Sequence, residues 1–175
     1  GAGVNGLFVF VSQVNTLSQS ISFFVYDIVL RQRLENLSFA GQGGGVGDGA
    51  IAAANGRFFY AGGILDFDPD SSVFEYSSHV YIFDSEAQLW TTSALSQPRR
   101  ALSAAATNGV AIFAGGISTG TATSVTAQVD IYTVSSQTWQ TASLSTARRN
   151  MAAAATNDLL VFAFGSGPSA PYNMV

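Results

Sequence analysis

Short apolar runs separated by small polar punctuation recur along the chain, and no stretch sustains a helical period. Ala101 to Thr107 is small and apolar, Asn108-Gly109 is a two-residue hairpin signal, and Val110 to Ala114 follows as the partner strand. Gly115-Gly116 then breaks the strand, and a Ser/Thr/Gly-rich loop leads to Gln128 to Val134. Ser135-Ser136 turns that strand into another centred on Trp139. The predicted unit is four short antiparallel strands. Ala is the best helix former, so the Ala-rich run is the ambiguous element, but seven residues closing on Asn-Gly are too few for a stable helix. The small Ala-rich strand suits a crowded inner position where units converge, and the Trp strand an outer one.

The unit repeats. Val4-Asn5-Gly6-Leu7-Phe8-Val9-Phe10, Ala54-Asn55-Gly56-Arg57-Phe58-Phe59-Tyr60, Thr107-Asn108-Gly109-Val110-Ala111-Ile112-Phe113 and Thr156-Asn157-Asp158-Leu159-Leu160-Val161-Phe162 share one spelling, their Asn residues 50, 53 and 49 positions apart. Trp90 recurs at Trp139, Arg99-Arg100 at Arg148-Arg149, and Ala104-Ala105-Ala106-Thr107 at Ala153-Ala154-Ala155-Thr156, each 49 later. A period near 50 residues marks a repeat architecture. The segments Leu7 to Val11, Phe58 to Ala61, Val110 to Ala114 and Leu159 to Ala163 are expected as equivalent strands.

Within this period a strand, a Gly-Gly doublet, a loop, the aromatic-aspartate strand Val80-Tyr81-Ile82-Phe83-Asp84 and a Trp six residues after that Asp follow in order. This sequence of features resembles the kelch repeat, one blade of a β-propeller, over almost the whole chain. The doublet stands intact as Gly62-Gly63 and Gly115-Gly116. Val11-Ser12 replaces it in the first copy, where no Trp follows Tyr26-Asp27, and Phe164-Gly165 in the last. The alternatives for such an all-β period are another propeller family or a β-solenoid.

The resemblance implies an all-β, kelch-like propeller of about three and a half four-stranded blades. Residues 1–38 read as a partial blade entered at its second strand, 49–95 and 101–144 as whole blades, 149–166 as a partial blade and 167–175 as a tail. A six- or seven-bladed ring at this period needs roughly 300 to 350 residues, so the chain supplies about half a ring. The open edges are expected to be covered by further chain or by another subunit. The first residue is Gly, which reads as a processed product or a piece of something longer.

Composition narrows the chemistry. The 175 residues are 47% hydrophobic and 10% charged, ample apolar material for a packed core. Eleven acids face seven bases, all Arg, for a net charge of -4, which argues against nucleic acid or an anionic membrane as a partner. The chain has no Cys, hence no disulfide, thiolate metal site or Cys nucleophile. No apolar run approaches the ~18 residues of a membrane span, and Gly1 opens no signal-peptide pattern, so a soluble chain without membrane insertion is expected.

Antiparallel alternation places the loop after a unit's second strand and the loop after its fourth on one face. The acidic segment Asp66-Phe67-Asp68-Pro69-Asp70 and the Arg doublets therefore share a face. Asp66, Asp68 and Asp70 have the alternate spacing of hard oxygen ligands and are the calcium candidate, although no Gly follows Asp70 and Glu75 comes early for a closing ligand. A solvated turn-forming loop is the competing reading. Arg99, Arg100, Arg148 and Arg149 recur with the period and are expected to serve each unit by pairing with carboxylates and stacking on Trp or Tyr, with anion or sugar binding as the alternative.

The Gly-rich stretch Gly41 to Gly49 invites a phosphate-loop reading, but a small apolar strand follows it where a helix N-terminus is needed, so it reads as a connection between units. His79, the one His, is expected as an exposed edge residue. Kelch-propeller copper-radical oxidases use two His and a Tyr-Cys crosslink, which this sequence does not supply. Asn36-Leu37-Ser38 is the one N-glycosylation sequon.

These features together give the expectation of a non-catalytic structural or interaction protein. Its partners would be proteins, either itself or remaining propeller blades, with a glycan as a further possibility. No cofactor is expected beyond the calcium candidate, and an extracellular or cell-surface location fits the acidic, Lys-free, Ser/Thr/Gly/Ala-rich composition and the sequon. The competing class is half of a carbohydrate-active propeller enzyme whose catalytic residues lie partly in blades outside this sequence.

Overall fold

The computed structural model describes residues 2–4, 7–15, 20–27, 29–39, 47–68, 73–118 and 124–168. All regular structure among them is β, in small antiparallel sheets. The first sheet is β1 (Ala2–Val4), β2 (Leu7–Asn15), β3 (Ser20–Asp27) and β4 (Gln32–Phe39), in chain order. The sequence predicts this unit to start at its second strand; the structure adds the first, with Val4 paired to Leu7 and Ala2 to Val9. Where the Gly doublet is replaced by Val11-Ser12, β2 runs on to Asn15 with a bulge between Val11 and Gln13. Nothing there breaks the strand.

The second sheet runs β5 (Ala50–Ala54), β6 (Arg57–Ala61), β9 (His79–Asp84) and β10 (Leu89–Ala94), with a separate hairpin of β7 (Ile64–Asp68) and β8 (Val73–Tyr76) inserted after the doublet. The third is β11 (Ser103–Thr107), β12 (Val110–Ala114), β13 (Gln128–Thr133) and β14 (Thr138–Ser143). Among the described residues the fourth has β15 (Ala152–Ala155) and β16 (Leu160–Ala163). The Asn-Gly turns take the conformation that two-residue hairpins favour, with φ 40° and 77° at Asn55-Gly56 and 44° and 77° at Asn108-Gly109. In the fourth unit Asp158 replaces that Gly; the strands end at Ala155 and Leu160, and the Thr156 N–H still donates to the Leu159 carbonyl at 2.9 Å across the two-residue connection.

The Ala-rich strands β1, β5, β11 and β15 stand side by side in chain order, and the Trp strands β10 and β14 form the opposite edges of their sheets. Small side chains permit that inner approach. The cores lie between sheets. Strand alternation divides β6 and β9 cleanly: Phe58, Tyr60, Tyr81 and Phe83 pack with Val9, Phe23 and Val25 of the first sheet. Phe59, Ala61, Val80 and Ile82 pack with Ala111, Phe113 and Tyr132 of the third. A strand buried on both faces reads as a continuous apolar run, as Phe58-Phe59-Tyr60-Ala61 does. Each Trp reaches the preceding unit: Trp90 stacks on Phe23 at 4.7 Å and 29°, and the Trp139 indole N–H donates to Ser93 Oγ at 2.8 Å.

Candidate functional site

The connections between units gather the charged side chains at one end of the sheets. Three successive connections carry a non-Gly residue in the left-handed region, Asp48 (φ 58°), Ala101 (φ 54°) and Asn150 (φ 52°). The Ala101 N–H donates to the Asp48 carbonyl at 2.8 Å, and the Asn150 N–H to the Ala101 carbonyl at 3.0 Å. This backbone chain links three connections that lie some fifty residues apart in sequence.

The doublets explain themselves against it. The Gly63 N–H donates to the Arg99 carbonyl at 3.0 Å and the Gly116 N–H to the Arg148 carbonyl at 2.8 Å, so each doublet holds the Arg of the following connection. A Cβ on Gly62 would stand 2.5 Å from the Arg99 carbonyl oxygen, and one on Gly115 2.1 Å from that of Arg148. With φ of 69° and 66°, only Gly fits.

Arg99 is fully enclosed. Its guanidinium donates to Asp130 Oδ2 at 2.5 Å and to the Phe113 carbonyl at 3.3 Å, while Asp130 Oδ1 accepts the Ser96 N–H at 3.0 Å. Burial pulls the Arg99 guanidinium below its ordinary value, and the charge and hydrogen bond of Asp130 oppose that pull. Arg100 donates to Asp48 Oδ2 at 2.7 Å and lies 5.5 Å from the centres of both the Phe74 and Tyr76 rings. Arg148 donates to the Phe164 carbonyl at 3.1 Å, and Arg149 pairs through its backbone with Ser166. Pairing with a carboxylate is seen for Arg99 and Arg100, and an aromatic contact for Arg100. Arg99 is 0% exposed and so cannot front a binding surface.

Arg100 lies over Phe74 and Tyr76 of the inserted hairpin, whose other strand carries Asp66 and Asp68. Asp66 to Asp68 of the acidic segment belong to strand β7, with Asp66 opposite Glu75 and Asp68 opposite Val73, while Pro69 lies outside the described residues. Asp70 and the side chains of Asp66 and Asp68 lie outside the described residues. Among the described residues no three His, Cys, Asp or Glu side chains gather as a metal site. His79 is half-buried at the start of the central strand β9, its Nδ1 3.2 Å from Ser77 Oγ, and is not the exposed edge residue expected. The sequon Asn36 lies on β4, the edge strand of the first sheet. Of the Gly-rich stretch, Gly47 to Gly49 are described, and Asp48 among them is a partner the sequence reading did not single out.

Asp84 explains the aromatic-aspartate motif. Its Oδ1 accepts the N–H groups of Glu86 at 3.0 Å and Ala87 at 3.1 Å, and Oδ2 meets Arg57 Nε at 3.2 Å. Those two N–H bonds, the Ala87 one foremost, and Arg57 hold its carboxyl below the usual carboxylate range despite some burial. Asp27 closes the equivalent turn of the first unit, accepting from Val29 and Leu30 at 2.8 and 2.9 Å. Arg57 also donates to the Val134 carbonyl of the third sheet at 3.4 Å, one wall of a 220 Å³ cleft between the second and third units.

The last unit is exposed on its outward side. Phe162 packs back toward the third sheet. Val161, in the register position held by the buried Phe59 of the second unit, is 45% exposed, Leu159 58% and Phe164 68%.

No protein-family model matches the chain, and no curated protein matches it. Among solved structures it is similar to the structure of YjhT, with a TM-score of 0.66 at 14% identity over 93% of this chain. The chain spans about half, 55%, of the length of that structure. At such identity the likeness concerns the fold alone.

Proposed function

We propose that the four sheets are kelch-like propeller blades and that the chain is a non-catalytic structural or interaction protein acting by assembly with protein partners outside the cell. The observation that carries this reading is the apolar exposure of the last unit, where Leu159, Val161 and Phe164 are open to solvent among the described residues. Exposed large apolar side chains gathered on and beside one strand are a feature that soluble proteins cover with a partner. The charges support the same reading. Arg99 and Arg100 are each engaged with a carboxylate of another unit or connection, Asp130 and Asp48, and Arg57, paired with Asp84 of its own sheet, reaches the Val134 carbonyl of the next unit, so these side chains brace neighbouring units. Coverage of 55% of a longer chain of similar fold also fits a piece of a larger ring.

Light scattering on the 175-residue chain tests the assembly, with a mass above 18.2 kDa expected and a stable monomer at tens of micromolar overturning it. Mass spectrometry of the Asn36 peptide from native eukaryotic material tests the location, and an unmodified Asn would remove its main support.

A further inference from the structure

The second unit departs from the repeat at one charged position. Leu7, Arg57, Val110 and Leu159 follow the turn dipeptides of the four units, so the position is apolar everywhere except at Arg57. The aspartate opposite it does not require an Arg. In the first unit Asp27 lies across from Leu7 and still closes its turn, accepting from Val29 and Leu30. The Arg57 guanidinium spends Nε on Asp84 and Nη1 on a long 3.4 Å bond to the Val134 carbonyl, and its Nη2 has no partner among the described residues. Arg57 lines the 220 Å³ cleft between the second and third units.

The rest of the lining says what that spare donor could hold. Asp84 is already engaged through both oxygens, Oδ1 by the Glu86 and Ala87 N–H groups and Oδ2 by Arg57, so a cationic ligand would find no free counter-charge there. Thr91, Tyr132 and Gln137 add polar groups, while Ile82 and the 58% exposed Leu89 supply an apolar wall. The volume equals that of roughly seven waters, the size of a small organic acid and well short of a drug-sized ligand. We infer that this cleft binds a small carboxylate carrying a short branched aliphatic group, its charge on Arg57 and its apolar end against Leu89 and Ile82. A charge-assisted bond to an ionised oxygen is the strongest use of an N–H on a guanidinium that is only 20% exposed. Every lining residue belongs to the second or third sheet, so the site is complete within those two units and independent of the assembly reading.

The probe is isovalerate, titrated into the full chain at constant ionic strength and followed by NMR of the backbone amides. Isovalerate should bind in the millimolar range and shift the amides of Ala87, Thr91 and Gln137. Isoamyl alcohol, the same carbon skeleton without the charge, and acetate, the charge without the skeleton, should each bind about tenfold more weakly or worse. Arg57→Leu installs the residue that the first and fourth units carry at this position, so the fold is kept, and isovalerate affinity should fall about tenfold or more. The comparison of acid with alcohol needs no variant. Alcohol binding as tight as the acid, affinity unchanged in Arg57→Leu, or an isovalerate titration that leaves the cleft amides unmoved would each overturn the site.

Discussion

Arg99 and Asp130, 31 positions apart, meet at 2.5 Å in the interior, where Arg99 is 0% and Asp130 2% exposed. The connection leaving the second sheet is thereby fastened to the third strand of the next sheet. Removing one partner leaves an uncompensated buried charge. Asp130→Ala should lower unfolding free energy by about 3–5 kcal/mol, measured by chemical denaturation. A double replacement, Arg99→Met with Asp130→Leu, should recover most of the loss, because apolar side chains of similar volume replace such pairs at little net cost. A double variant as unstable as the single one would show that the charges themselves hold the connection.

The first and second sheets depend on one aromatic stack. Phe23 is fully buried against Trp90, Phe58, Tyr60 and Tyr81. Phe23→Ala should cost about 3–5 kcal/mol, the range for large aromatic truncations in a core. Trp90 fluorescence should shift to the red as its stacking surface is lost. An unchanged emission maximum would mean that Trp90 does not rest on Phe23.

Asp84 gives the chain a pH dependence with a definite sign. Its folded-state carboxyl lies below the ordinary value of about 3.9, so its contribution is present above that value and fades as pH falls through the folded-state value. Asp84→Asn should lower the melting temperature at pH 7, and the gap between variant and wild type should close below about pH 4. A gap that stays constant down to pH 3 would assign the effect to the side-chain shape and not to its charge.

The repeat period and strand order were legible because the signals are local. Asn55-Gly56 and Asn108-Gly109 fix two-residue turns, and Trp90 and Trp139 mark the outer strands. What escaped the sequence is short or long-range. Three residues, Ala2 to Val4, are too few to carry a period, so the first strand was missed. The Asp- and Pro-containing stretch after Gly63 reads as a loop, yet its flanks Ile64 to Asp68 and Val73 to Tyr76 have enough β-forming residues to pair. Asp48 meets Arg100 across 52 positions from inside a Gly-rich run, a pairing that only the packed connections create. Asp130 did leave a trace, as a lone charge within the apolar run Val129-Asp130-Ile131-Tyr132, opposite Phe113. A charge at such a position calls for a buried partner.

The glycine of the third doublet offers the sharpest comparison between two positions with nearly equal backbone. Gly109 and Gly115 have φ of 77° and 66°, so any L-residue bears a similar conformational penalty of about 1 kcal/mol at either. Their surroundings differ. A Cβ on Gly109 would meet the Asn55 side-chain nitrogen at 2.8 Å, an exposed group that can swing away. A Cβ on Gly115 would stand 2.1 Å from the Arg148 carbonyl, which belongs to a connection held by the Gly116 bond and by the Asn150 bond to Ala101. That backbone moves only if the fourth sheet shifts. Gly109→Ala should therefore cost little beyond the common penalty. Gly115→Ala should cost clearly more and should also raise amide exchange in β15 and β16, read by hydrogen exchange with mass spectrometry. Equal losses at the two sites, with exchange in the fourth sheet unchanged, would mean that the doublet glycine is required for its backbone conformation and not for the approach of the next unit.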